Sequence, residues 1–122
     1  MILTKAEIER FMTEERSARD MVGGAERLGQ ELANNKLSSS QIRNAYGNMK
    51  KIEMQGWDAQ TERSLLLLKP RLAYAASRQK AVKELSETIG TAIDYVRDQG
   101  SFQRFCQFFE AIVAYHKAFG GK

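Results

Sequence analysis

The stretch LLLLKPRLAYAASR, Leu65 to Arg78, constrains the fold most. It holds the only proline and the only run of four leucines, yet its apolar residues recur with an α-helical period. At about 100° per residue, Leu65, Leu68, Leu72, Ala75 and Ala76 gather on one face. Arg71, Tyr74 and Arg78, spaced i, i+3, i+7, share another. One face is suited to burial and its neighbour to holding an anion. Pro70 removes one intrahelical bond and crowds the preceding turn, so a kink or a restart is expected there, a restart placing it near the first helical position. The rest of the chain reads as a helical scaffold organised around this stretch.

That scaffold can be followed in order. Thr4 and Glu7 form a capping-box pattern ahead of Ile8, Phe11 and Met12, and the first helix is expected to reach about Val22, where Gly23-Gly24 interrupts it. Ala25, Leu28 and Leu32 continue it to a loop at Asn34-Asn35. This segment is glutamate-rich and weakly amphipathic, so residues 1–35 are expected as a mobile helical segment beside a core bundle of residues 36–122. Ser38 and Gln41 open the next helix with a second capping box. Ile42, Ala45, Tyr46, Met49 and Ile52 lie on an arc of about 120°, with Arg43, Gly47, Lys50 and Lys51 opposite. Gly47 would admit either a phosphate backbone or another helix. Gln55 to Asp58 reads as a turn with Asp58 as N-cap, and Trp57 stands where a hydrophobic staple would, a packing anchor before a base-stacking platform.

Lys80 to Gln99 keeps a regular spacing through Val82, Leu85, Ile89, Ala92, Ile93 and Val96, with Gly100 as its stop and Ser101 as the next cap. The last helix carries five of the six phenylalanines. Phe102, Phe105, Cys106, Phe108, Phe109, Ile112, Val113, Tyr115 and Phe119 cover about half of its wheel at 100° per residue. No strand-like alternation or hairpin turn interrupts these patterns. The sequence therefore predicts an all-α fold: a single-domain bundle over residues 1–122 of about five helices, one kinked or restarted at Pro70.

Charge is distributed unevenly. Residues 36–83 carry ten Lys/Arg against three Asp/Glu, a balance of +7. The flanking segments stand at −2 and −1, within a net charge of +4. A basic middle between mildly acidic ends is the footprint of a polyanion site; the alternative is a solvated, lysine-rich face. No apolar run approaches the roughly 20 residues of a membrane span, and the MILTKAEIERF start is charged too early for a secretory signal. Cys106, the only cysteine, excludes an internal disulfide and suits a reducing compartment. The expected address is the cytoplasm, without a membrane partner.

Catalytic chemistry finds no foothold. There is no phosphate-binding glycine loop, paired-cysteine metal site or nucleophile elbow. His116, the only histidine, falls on the apolar face of the last helix, where a packed and hydrogen-bonded role is expected. Cys106 is about 15 Å from it along the helix, too far to pair. Glu110 is a lone acid, whereas glycoside hydrolysis needs two placed carboxylates. No enzyme activity, metal or cofactor is expected.

Three segments then stand out together: KLSSSQIRNAYGNMKKI (Lys36–Ile52), LLLLKPRLAYAASR (Leu65–Arg78) and FCQFFEAIVAYHKAFGGK (Phe105–Lys122). In this order they resemble the small helical subunit family of the type III-A CRISPR effector, the Csm complex, over roughly residues 36–122. The resemblance implies a non-catalytic subunit in antiviral defence, present in several copies that stack along the effector filament. It implies contact with the target RNA and the guide–target duplex, with other Csm subunits and with copies of itself. A protein that must hold any target contacts phosphates and sugars and leaves base edges alone. The candidate RNA-binding residues are Arg43, Lys50, Lys51, Lys69, Arg71 and Arg78. Arg43, Lys69 and Arg78 match family positions; the other three rest on local geometry and charge. Tyr74 would stack on RNA or be buried with its hydroxyl satisfied. Phe105, Phe108, Phe109, Ile112, His116 and Phe119 are assigned to core or subunit interface. A competing reading is a helical adaptor whose basic middle binds an acidic protein partner. A helix-turn-helix DNA binder fits less well, since the basic residues are spread over two helices and a loop.

Overall fold

A half-wheel of phenylalanines can be buried only if several helices surround it. A computed structural model describing residues 1–122 has that arrangement. Its elements are six α-helices: α1 (Lys5–Thr13), α2 (Ala18–Asn34), α3 (Ser39–Met54), α4 (Ala59–Arg78), α5 (Lys83–Ile93) and α6 (Gln99–Ala118). Single 3-10 turns at Glu15–Ser17 and Lys80–Val82 precede α2 and α5. The central element is α6: α1, α2 and α3 pack on it, α2 most extensively. α4 rests instead on α3 and α5. Leu65–Arg78, expected as the centre, therefore lies in a flanking helix: of its four-leucine run only Leu65 and Leu68 are buried, whereas α6 buries Phe102, Phe105, Phe108 and Phe109.

Aromatic contacts tie the flanks to α6. The Phe11 ring of α1 meets Phe108 at 5.6 Å between centroids, Tyr46 of α3 meets Phe109 at 5.6 Å, and Trp57 meets Phe102 at 5.3 Å. Such pairs contribute about 0.5–1.5 kcal/mol each beyond their burial. Trp57 is thus a packing anchor, but not as a staple: the residue at the staple's receiving position is the exposed Glu62.

The N-terminal third corrects the sequence reading. Eight of the 28 buried core residues, Leu3, Ile8, Phe11, Met12, Met21, Ala25, Leu28 and Leu32, precede residue 36, so this segment is part of the core bundle. The helix breaks at Glu14, in extended conformation, and α2 runs straight through Gly23-Gly24. Glycine serves here for close approach: a Cβ on Gly24 would stand 2.7 Å from the Phe11 ring. At Gly29 it would stand 2.6 Å from Tyr115 Cβ and 2.8 Å from the His116 amide nitrogen.

Pro70 likewise neither ends nor restarts its helix; α4 is continuous from Ala59 to Arg78. The carbonyl that loses its bond belongs to Leu66, and both Leu66 and Pro70 are exposed, so water can take the donor's place. The caps at Thr4, Ser38 and Asp58 form as their sequences indicate. The last cap differs. Asp98 is the N-cap of α6, accepting from the Ser101 amide at 2.8 Å, while Ser101 Oγ accepts from the Asp98 amide at 3.1 Å; Gly100 lies inside the first turn. His116 is 1% exposed, with Nε2 2.6 Å from the Leu37 carbonyl, which pins the α2–α3 loop to α6.

These contacts set stability expectations. Gly29→Ala overpacks the α2–α6 contact against backbone and should lower the melting temperature, overpacking costing about 1–3 kcal/mol. Gly47→Ala meets nothing within 4 Å and should raise it by up to about 1 kcal/mol through helix propensity. Thermal melts of the two variants should therefore move in opposite directions. A third expectation concerns acid. The Ser101 amide holds the Asp98 carboxyl below its ordinary value of 3.8. A depressed folded-state pKa contributes stability above the unfolded value, lost as pH falls through the folded one. Asp98→Asn keeps an acceptor at the cap without that titration. Its urea midpoint should fall less steeply than wild type between pH 4 and pH 2.

Candidate nucleic-acid interface

The packing of α3 and α4 decides where the candidate cations point. α3 turns Ile42, Ala45, Met49 and Ile52 inward, and α4 turns in Thr61, Leu65, Leu68 and Leu72. Side by side, the two helices leave an open groove of about 430 Å³. Its α3 wall is Gln41, Asn44 and Asn48; its α4 wall is Arg71, Tyr74 and Arg78; Gln79 stands at one end, and Ala45, Leu68, Leu72, Ala75 and Val82 form an apolar floor. Both walls are spaced i, i+3, i+7. No carboxylate lines the groove.

Within it, Arg78 Nη1 donates to Tyr74 Oη at 3.1 Å, and the guanidinium lies 5.8 Å from the ring centroid. Tyr74 is 63% exposed, so the buried alternative is not realised. Arg71 is exposed and takes part in none of the chain's ion pairs. Guanidinium groups donate in a planar fork matched to phosphate oxygens, and an exposed ring offers a face for stacking.

The other four cations lie elsewhere. Lys69 is on the opposite side of α4, with Nζ 2.5 Å from Asp94 Oδ1. Lys50 pairs with Glu53 at 2.7 Å and lies over the Tyr46 ring at 5.8 Å; the bond to Glu53 raises its pKa. Arg43, seven residues earlier, shares that side of α3, which faces α6 through Tyr46. Lys51 is exposed on the outer surface. The structure brings together Arg71, Tyr74 and Arg78, and does not unite them with Arg43, Lys50, Lys51 or Lys69. Gly47 has no neighbouring helix within reach, so the helix-approach alternative falls away.

Sequence reasoning passed over Gln41, Asn44, Asn48 and Gln79. A signal existed: Gln41, Asn44 and Asn48 repeat the spacing of the Arg71 row, but a search for charge does not register carboxamides. Of the core assignments, Phe105, Phe108, Phe109 and Ile112 are fully buried, while Phe119 is 40% exposed at the end of α6.

No group of three or more His, Cys, Asp or Glu residues is placed to hold a metal ion. The buried Cys106 thiol is pushed up to about 12, chiefly by burial, so it is not a thiolate near neutral pH. No helix is long and apolar enough to cross a membrane.

Comparison with known proteins bears on what such a groove belongs to. A Streptococcus thermophilus protein named CRISPR system Cms protein Csm2 is 44% identical over 57 residues, which are 45% of this chain and 47% of the relative. The match thus spans about half of that relative's length. No solved structure matches the chain. Residues 15–122 match the family described as Csm2 type III-A, a span that takes in both walls of the groove and every helix from α2 to α6. The chain belongs to the type III-A Csm2 family.

Proposed function

We propose that this chain is the small, non-catalytic subunit of a type III-A CRISPR ribonucleoprotein, acting in the cytoplasm in antiviral defence. In this reading the α3–α4 groove holds the backbone of target RNA, alone or in the guide–target duplex, without regard to sequence. Other Csm subunits and further copies of the chain are its protein partners. Surface for such stacking is available at the exposed Leu66, Leu67 and Phe119.

The observation that carries the reading is the groove: two guanidinium groups and an exposed tyrosine, without a carboxylate among the lining residues, in a chain of this family. Phosphates repel carboxylates and attract unpaired guanidinium groups. Lys69 and Lys50 already have carboxylate partners, so they are secondary contacts; Arg43 and Lys51 extend the basic surface outside the groove.

The test is affinity for an arbitrary-sequence single-stranded RNA across a salt series. Arg71→Ala/Arg78→Ala should weaken binding at least tenfold and make log Kd against log salt shallower by about 0.7 per lost phosphate contact. Lys69→Ala should change affinity by less than about threefold, as expected of an exposed ion pair. If the wild type bound no RNA at low salt but bound acidic polypeptide through the same arginines, the groove would belong to a protein adaptor instead.

A further inference from the structure

The groove has two chemically different walls. Arg71 and Arg78 only donate hydrogen bonds, which suits phosphate oxygens. Asn44 and Asn48 carry carboxamides, which donate through nitrogen and accept through oxygen. They stand one turn apart in the middle of α3, where asparagine is a poor helix former unless its side chain finds local work. Neither side chain is hydrogen-bonded within the chain. Gln41, the third of the row, differs: its Oε1 already accepts from the Ser38 amide at 3.0 Å and the Ser38 hydroxyl at 3.1 Å, leaving only its NH₂ group free. Two solvent-accessible carboxamides with no partner in the chain therefore face the arginine row.

A nucleic-acid backbone offers phosphate oxygens, which only accept, and in RNA the 2′-hydroxyl, which both donates and accepts. Arginine cannot accept the hydroxyl's hydrogen; a carboxamide oxygen can. Tyr74 adds to the arginine wall, since its oxygen takes the bond from Arg78 and its own hydrogen remains to be given away. We infer that Asn44 and Asn48 accept from and donate to ribose 2′-hydroxyls of a strand whose phosphates lie on Arg71 and Arg78, so that the chain selects RNA over DNA without reading sequence. This inference rests on the RNA-backbone reading of the groove. The 2′-hydroxyl is the group by which a protein distinguishes the two nucleic acids at a given site.

The experiment measures binding of three labelled single strands of one uracil- and thymine-free sequence, as RNA, DNA and 2′-O-methyl RNA, at low salt. The proteins are the wild type, Asn44→Ala/Asn48→Ala and Arg71→Ala/Arg78→Ala, each with helicity checked by circular dichroism. Wild type is expected to bind RNA about tenfold more tightly than DNA or 2′-O-methyl RNA, the effect of one or two net hydrogen bonds. The asparagine variant should bind RNA only as tightly as DNA, with DNA affinity and salt slope unchanged. The arginine variant should lose affinity for all three strands. Equal wild-type affinity for RNA and DNA, 2′-O-methyl RNA bound as tightly as RNA, or an RNA preference that survives in the asparagine variant would overturn the ribose assignment. In those cases the arginine variant's loss on every strand would leave the phosphate-gripping reading standing. Failure of the wild type to bind any strand would overturn both.

Discussion

At Gly29, α2 and α6 lie so close that no side-chain carbon fits between them, and the placement of the other helices follows from that contact. With α2 pressed along one side, the phenylalanines of α6 are directed toward α1, α3 and the turn before α4. Phe108 meets Phe11, Phe109 meets Tyr46, and Phe102 meets Trp57. The Tyr46 contact fixes the rotation of α3, since turning Tyr46 toward α6 and Ile42, Ala45, Met49 and Ile52 inward leaves only one direction for Gln41, Asn44 and Asn48. They must face α4. The groove is thus a consequence of core packing, built without any of its polar residues bonding across it.

How much of this was legible in the sequence depends on the range of the interaction involved. Periodicity and capping boxes act over one to two turns, and they located the all-α class, the caps at Thr4, Ser38 and Asp58, and the inward faces of α3 and α4. Gly23-Gly24 misled because glycine's meaning depends on a distant partner. Read locally it is a helix breaker, whereas Phe11 pressing on Gly24 makes it a docking surface. Pro70 misled for a related reason, since at a site where both it and Leu66 are exposed the helix runs on through it. The last cap went to Ser101 because serine is a common cap, but Asp98 three residues earlier holds the amide.

The candidate site shows the same division. Arg71, Tyr74 and Arg78 were grouped correctly because they share one helix. Their alignment with a row on α3 depends on how two helices cross, which the pattern of one helix does not encode. Net charge was also a coarse guide. The basic middle of the chain is shared between a groove free of carboxylates and sites such as Lys69 with Asp94 and Lys50 with Glu53, where cations are already neutralised. Surface ion pairs of that kind contribute little to stability, but they reduce the charge available to a polyanion.

Pro70 has a mechanical meaning as well. The ladder of bonds along α4 lacks one rung, directly before the half that carries Arg71, Tyr74 and Arg78. A helix resists bending because every turn is tied to the next, and here one tie is missing. The stiffness of the arginine wall therefore comes less from α4 itself than from Leu72 and Val82 seated in the core below it. The two walls are accordingly built differently: an uninterrupted bond ladder in α3 carrying the carboxamides, and a half-helix of α4 held by its packing carrying the charges. The width of the groove is therefore set by how α4 is seated on α3 and α5, and not by its own ladder of bonds alone.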